Sequence, residues 1–311
     1  MHNTATRRRD HVDAAAIWIT VGLCAVWGLQ QVLAKITIEQ GLPPALLAAL
    51  RSAIAALCVF AWITWRDGRA GLADLWAPST RWPGLVMAAC FTLEFLLLYP
   101  GLHLTTASRG VLFLYTAPFF TALGAQIFLP AERMGVTQLA GLVLAFAGVA
   151  AAFADSLAGG GGNLIGDAMC LAAGGVWGAT TVVVKASPGL STAAPAKILF
   201  LQLAGSAPPL FLASWLLGEM QPWPHPTWVS WAGLFYQTVI VAFISYLIWF
   251  RLVLTYPAGR IAGFTFLTPL FGILAGAALL GERATWALLA GLLAIAAGMW
   301  LVNAAPRQAA R

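Results

Sequence analysis

Two stretches of the chain, VWGLQQVLAK (Val26 to Lys35) and VWGATTVVVK (Val176 to Lys185), repeat a Trp-Gly step, two polar residues and a closing lysine in apolar surroundings. Trp27, Gln30, Gln31 and Ala34 fall at i, i+3, i+4 and i+7 and so share one helical face, as do Trp177, Thr180, Thr181 and Val184. Indole, amide and hydroxyl groups at this spacing can hold a small molecule by stacking and neutral hydrogen bonds. They lack the nucleophile-base pairing that would transform it. The same groups also serve as hydrogen-bond partners between helices, worth about 1 kcal/mol each in a bilayer.

Glu94, in CFTLEFLLLYPG, is an acid deep in an apolar run, where an ionised carboxylate facing lipid costs at least about 2.5 kcal/mol. It must face protein or water. It reads either as a ligand for a substrate ammonium or a proton-coupling group, or as a structural carboxyl, protonated or paired with Arg51. Arg51 lies near the start of its own apolar run and is expected to snorkel outward, as are Lys35 and Lys185. Pro118 in LYTAPFF and Pro269 in FLTPLF sit at equivalent mid-run positions and free the carbonyls of Leu114 and Thr265. They are expected to bend the chain around a cavity and to hinge its gates. Tyr115, Phe266, Ser245 and Tyr246 fall at the same depth, with Tyr99 nearer one mouth.

No enzymatic constellation accompanies these residues. The histidines, His2, His11, His103 and His225, are far in depth from Glu94, and no second acid lies as deep. A Walker-type phosphate loop is absent. Cys24, Cys58, Cys90 and Cys170 have no metal-ligand spacing and read as small core residues. Neither metal nor cofactor is expected, and a membrane-embedded enzyme is the remote alternative.

The elements that must position these groups are membrane spans. With 60% hydrophobic and 9% charged residues and a mean hydropathy of +0.83, the composition excludes an ordinary soluble domain. Long apolar runs separated by polar or Pro/Gly-rich joints give an all-α integral membrane protein of ten transmembrane helices, near 17–35, 45–65, 82–102, 110–129, 136–153, 166–185, 194–217, 228–254, 261–280 and 286–303. The basic residues are scattered at span ends, which speaks against nucleic acid. They are concentrated on one side of the bilayer if both termini are cytoplasmic, as the positive-inside rule expects.

The repeat extends beyond the opening pair. PAERMGVTQLAGLVLAFAG (Pro130 to Gly148) matches LGERATWALLAGLLAIAAG (Leu280 to Gly298), and SRGVLFLYTAPFF (Ser108 to Phe120) matches GRIAGFTFLTPLF (Gly259 to Phe271). The chain thus divides into a first five-helix repeat, 1–157 with a cytoplasmic arm 1–15, a Gly-rich linker, 158–163, and a second repeat, 164–311 with a cytoplasmic tail 304–311. Five is odd, so the second half enters the bilayer inverted. Inverted repeats around a midplane site are a recurring architecture of secondary transporters. Gly141, Gly148, Gly291 and Gly298 read as close-packing scaffold, and the pairs Glu132-Arg133 and Glu282-Arg283 as turn electrostatics.

Trp-Gly in the first span of each half, a proline in the fourth and Glu-Arg before a Gly-rich fifth together resemble the EamA-like branch of the drug/metabolite transporter superfamily, over about Ala16 to Asn303. The resemblance implies a ten-helix exporter of amino acids or related metabolites in a bacterial-type inner membrane. Its partners would be a small-molecule substrate and the lipid bilayer. Trp27, Trp177, Tyr115, Phe266 and Tyr246 with Gln30, Gln31, Thr180, Ser245 and Glu94 suit a zwitterion with an apolar or aromatic side chain. A lipophilic cation is the rival, held by cation–π contact and Glu94.

The charge distribution and the odd repeat generate a topology prediction. Single cysteines in the Gly-rich linker should react with a membrane-impermeant thiol reagent on intact cells, and cysteines between Arg66 and Arg81 should not react until the membrane is permeabilised. The opposite pattern would remove the expected orientation.

Overall fold

The computed structural model describes residues 12–129, 135–158, 163–256 and 264–281, with isolated positions between 286 and 301. Among the described residues all regular structure is helical, because a segment in hydrocarbon must close its backbone hydrogen bonds within itself. In chain order the elements are α1 (Ala14–Glu39), α2 (Pro44–Leu75), α3 (Pro78–Leu104), α4 (Ala107–Leu114), α5 (Ala117–Phe128), α6 (Val136–Ala158), α7 (Leu164–Ala186), the single turn α8 (Pro188–Ser191), α9 (Pro195–Leu216), α10 (Trp228–Phe235), a π-helical stretch (Tyr236–Ser245), α11 (Tyr246–Thr255), a 3-10 turn (Thr265–Leu267) and α12 (Thr268–Leu280). Seven runs are long and apolar enough to cross a membrane, counting α4 with α5 and α10 through α11 as one run each, and α6 and α12 carry shorter apolar segments. These runs occupy the places of the first nine expected spans. The tenth, the linker and both Glu-Arg pairs lie wholly or mostly outside the described residues.

Local chemistry sets the helix starts. The Asp13 carboxylate accepts from the Ala16 N–H at 2.9 Å to begin α1, the Asn163 side-chain Oδ1 accepts from the Ile165 N–H at 2.8 Å to begin α7, and prolines occupy the first turns of α2, α3 and α9. The fourth span of the first half is two helices and not one bent helix. The chain leaves α4 after Leu114, the Thr116 hydroxyl donates to the Phe113 carbonyl at 2.7 Å, and α5 restarts with Pro118 in its first turn. Pro269 stands likewise in the first turn of α12, after the 3-10 turn. A proline in a first turn lacks only an N–H that would have had no helical partner, so the break just before it is the cheapest way to house it.

The two halves interlock. α1 packs on α12 and on α10 with the π-helical stretch, while α7 packs on α4 and α5 and on α3. Each half's first helix therefore meets the third and fourth spans of the other half, and α2 meets its counterpart α9. The glycine of each Trp-Gly step is one of the places where this interlock is tight. A Cβ added to Gly28 would stand 2.6 Å from the Gly272 nitrogen and 2.7 Å from the Phe271 Cβ, and one added to Gly178 would stand 2.8 Å from the Ala117 carbonyl oxygen and 2.9 Å from the Thr121 nitrogen. Gly298 similarly lies against the Gly141 carbonyl and Ala145, which makes Gly141 and Gly298 a close contact between α6 and the second half.

Gly28→Ala and Gly178→Ala should each lower the thermal unfolding temperature of the detergent-solubilised protein, in line with the about 1–3 kcal/mol that overpacking costs. Gly22→Ala is the control, since a Cβ there meets nothing within 4 Å and should leave the melt unchanged.

Candidate functional site

The face of α1 that carries the first repeated motif looks into the middle of the bundle. Trp27 is buried there and donates its indole N–H to the Ser245 hydroxyl at 2.9 Å, while Ser245 donates onward to the Val241 carbonyl at 2.6 Å. Around it the Trp177, Tyr246 and Trp249 rings stand edge-on with centroids 5.9, 6.1 and 5.2 Å away, and Tyr115 meets Trp177 at 5.2 Å. The break between α4 and α5 falls at Tyr115, so the proline-induced restart and the aromatic cluster meet at one point.

Two narrow pockets share this cluster. Gln30, Gln31, Glu94, Phe95 and Tyr115 line one, Thr180, Thr181, Gln202, Phe91 and Trp249 line the other, and Trp27, Trp177 and Tyr246 belong to both. The structure thus brings together Trp27, Gln30, Gln31, Glu94, Tyr115, Trp177, Thr180 and Tyr246, with Ser245 bonded to Trp27 just behind. The Phe266 side chain lies outside the described residues. The two threonines donate to carbonyls of their own helix, Thr180 to Val176 at 3.1 Å and Thr181 to Trp177 at 3.3 Å, which leaves their oxygens able to accept from a ligand.

A second layer was not foreseen. Gln237, in the π-helical stretch, donates from its amide to the Gln30 carbonyl at 2.8 Å, accepts from the Tyr99 hydroxyl at 3.2 Å, and receives the Arg51 Nε–H on its backbone carbonyl at 3.3 Å. π-Helical turns are rare and concentrate at functional sites, where the extra residue re-aims side chains. Here the stretch directs Gln237 at its first turn and Ser245 at its last toward α1. Arg51 does not snorkel outward. It is fully buried, because α2 is covered by α9 and the π-helical stretch on the side from which it projects. Gln237 and Gln202 carried the same signal as Gln30, a polar residue within an apolar run, but no duplicate in the other half drew attention to them.

Beyond the pockets, each end of the bundle carries a polar closure. Where α1 ends, Lys35 donates to the Leu102 and Thr105 carbonyls at 3.1 and 2.8 Å. Beside it Thr105 donates to Asp167 at 2.7 Å, and Arg109 binds the same carboxylate in a buried two-point ion pair. Where α1 begins, Lys185 donates to the Tyr256 carbonyl at 3.0 Å and the Tyr256 hydroxyl donates to Asp13 at 2.9 Å. Lys35 and Lys185 are thus tied to chain carbonyls at opposite ends, where snorkelling to the bilayer surface was expected. Among the described residues no cluster of His, Cys, Asp or Glu has the makings of a metal site.

The profile of the EamA-like transporter family matches this chain twice, over residues 14–154 and 164–304. A Bacillus subtilis (strain 168) protein named uncharacterized transporter YvbV is 31% identical over 288 residues, covering 90% of this chain and 89% of its own length. A probable amino-acid metabolite efflux pump of Escherichia coli (strain K12) is 28% identical over 302 residues, 94% of each chain. Its namesake in Salmonella typhimurium (strain LT2) is 30% identical over 288 residues, covering 89% of this chain and 90% of its own. A solved crystal structure shares the fold with a TM-score of 0.73 at 19% identity, over 94% of this chain and 98% of that one.

Asp167→Asn leaves Arg109 buried without its counter-charge. It should cost roughly 3 kcal/mol, read as a lower unfolding temperature in detergent. The double variant Arg109→Leu with Asp167→Leu should lose less than Asp167→Asn alone, since no orphaned charge remains.

Proposed function

The chain belongs to the EamA-like transporter family and is a membrane transporter, and from that premise we propose that it exports small amphipathic metabolites, amino acids with apolar or aromatic side chains foremost. The observation that carries this reading is the central cluster, where Trp27, Trp177, Tyr115 and Tyr246 surround Gln30, Gln31 and Glu94. Rings supply apolar area and stacking for a side chain, and amides and the carboxyl supply partners for the polar end of the molecule. The names of the Escherichia coli and Salmonella relatives support both the substrate class and the outward direction.

The rival substrate, a lipophilic cation, would use the same rings and Glu94. Arg51 weighs against it, because its guanidinium lies over two rings of the cluster, Tyr246 and Phe95, and repels a second positive charge in a low-dielectric site. A sugar nucleotide would call for several basic groups in the cavity.

Transport proceeds by alternating access between the two halves in an inner membrane, with both termini cytoplasmic. Exchange of conformations between equivalent halves turns an outward-open state into an inward-open one. The Lys35, Arg109 and Asp167 closure is the outer gate and the Lys185, Tyr256 and Asp13 closure the inner one, each opening while the other holds. Pro118 and Pro269, in the first turns of the restarted helices, give each fourth span a joint beside the cluster on which to move.

Counterflow in proteoliposomes tests the reading. Internal phenylalanine, tryptophan, methionine or threonine should drive uptake of the labelled amino acid, and Trp27→Ala should slow that exchange at least tenfold. If no amino acid exchanges while a quaternary ammonium dye does, the amino-acid reading falls and the cation reading replaces it.

A further inference from the structure

The central cluster holds two opposite charges that do not bond to each other. Arg51 is 0% exposed, and although its Nε–H is used by the Gln237 carbonyl, both Nη atoms lack a hydrogen-bond partner. Glu94 is 3% exposed, and its Oε2 is likewise without a partner. The guanidinium carbon lies 4.3 Å from the centroid of the Phe95 ring, 5.3 Å from that of Tyr246 and 5.6 Å from that of Phe91. Phe95 and Tyr246 also line the pocket that holds Glu94. Arg51 and Glu94 therefore border the same two rings, and neither is ion-paired with the other.

Such an arrangement is costly unless something uses it. A buried guanidinium stacked on rings recovers part of its lost hydration through cation–π attraction, but its Nη hydrogens find no acceptor within the protein. Contrast Arg109, which meets Asp167 with two points of contact. The planar fork of Arg51, held in place by the Nε bond and three rings, is pre-organised for a carboxylate, whose two oxygens match the spacing of its donors. The free oxygen of Glu94 is equally suited to an ammonium. A ligand that carries both charges satisfies both poles and moves no net charge into the membrane. A ligand with only one charge leaves the other pole bare.

Resting on the reading of the protein as an amino-acid exporter, we propose that Arg51 binds the substrate carboxylate and Glu94 the substrate ammonium, so that the site selects zwitterions over singly charged analogues of the same shape. Tyr246 and Phe95, which border both groups, flank the carbon that joins the two charges in the substrate. The π-helical stretch contributes by holding the Gln237 carbonyl on Nε, which fixes the direction in which the fork points.

The experiment is competition in counterflow with the full chain in proteoliposomes, using the amino acid that the wild-type protein exchanges best. For phenylalanine the competitors are phenylalaninamide, which lacks the carboxylate, and 3-phenylpropionate, which lacks the ammonium. The wild-type protein should prefer phenylalanine at least tenfold over each. In Arg51→Gln the preference over the amide should collapse toward one while the preference over 3-phenylpropionate persists, and in Glu94→Gln the losses should be reversed. Arg51→Lys, which keeps the charge without the fork, should retain an intermediate preference and serves if Arg51→Gln does not fold. A wild-type protein that exchanges phenylalanine but accepts phenylalaninamide equally well, or an Arg51 variant that folds and keeps full discrimination against the amide, overturns this assignment and leaves amino-acid export standing. A wild-type protein that exchanges no amino acid overturns both.

Discussion

A polar group taken into hydrocarbon has no water to return to, so each must find its partner within the chain or go without. The centre of this protein is organised around that constraint. The Trp27 indole finds Ser245, and Gln237 serves Gln30, Tyr99 and Arg51 at once. These bonds run between α1, α2, α3 and the third span of the second half, so they also hold the two halves in register. The π-helical stretch belongs to the same arrangement, since Gln237 and Ser245 reach their partners from its two ends.

The close approach of backbones is the second requirement. Tight interlock of the halves depends on Gly28 and Gly178 having no side chain where they meet the restarted fourth spans. The same Trp-Gly step therefore does two things in adjacent positions. Its glycine admits the other half's backbone, and its indole, one residue earlier, turns toward the central cluster. Pro118 complements this, since the chain breaks between α4 and α5 just before it, so that the aromatic side chain of Tyr115 sits at the break and not within a continuous helix.

The charges fall into two kinds. Lys35, Lys185, Arg109 and Asp167 are bonded to carbonyls or to one another at the ends of the bundle, where they close it. Arg51 and Glu94, in the middle, keep open bonding positions. Charges whose bonds are complete stabilise one arrangement of the helices. Those with bonds to spare are the ones proposed to meet the substrate, and the completed ones the ones proposed as gates.

Much of this was legible in the residues themselves. Composition and run length dictate a bundle of membrane helices, because only closed backbone hydrogen bonding survives in lipid. The duplicated motifs mark two related halves, and helical spacing alone puts Trp27 with Gln30 and Gln31 on one face, since a periodicity of 3.6 residues allows nothing else. Other features were decided only by tertiary packing. Arg51 reads as a snorkelling residue from its place near the start of α2, and only the covering of that helix by α9 and the π-helical stretch turns it inward. The role of Gln237 depends on a π-helical register that no local periodicity announces. Asp167 meets Arg109 because the start of α7 is packed against the end of α3. Sequence periodicity reports which face of a helix a residue occupies. What that face meets, across residues far apart in the chain, depends on how the helices pack.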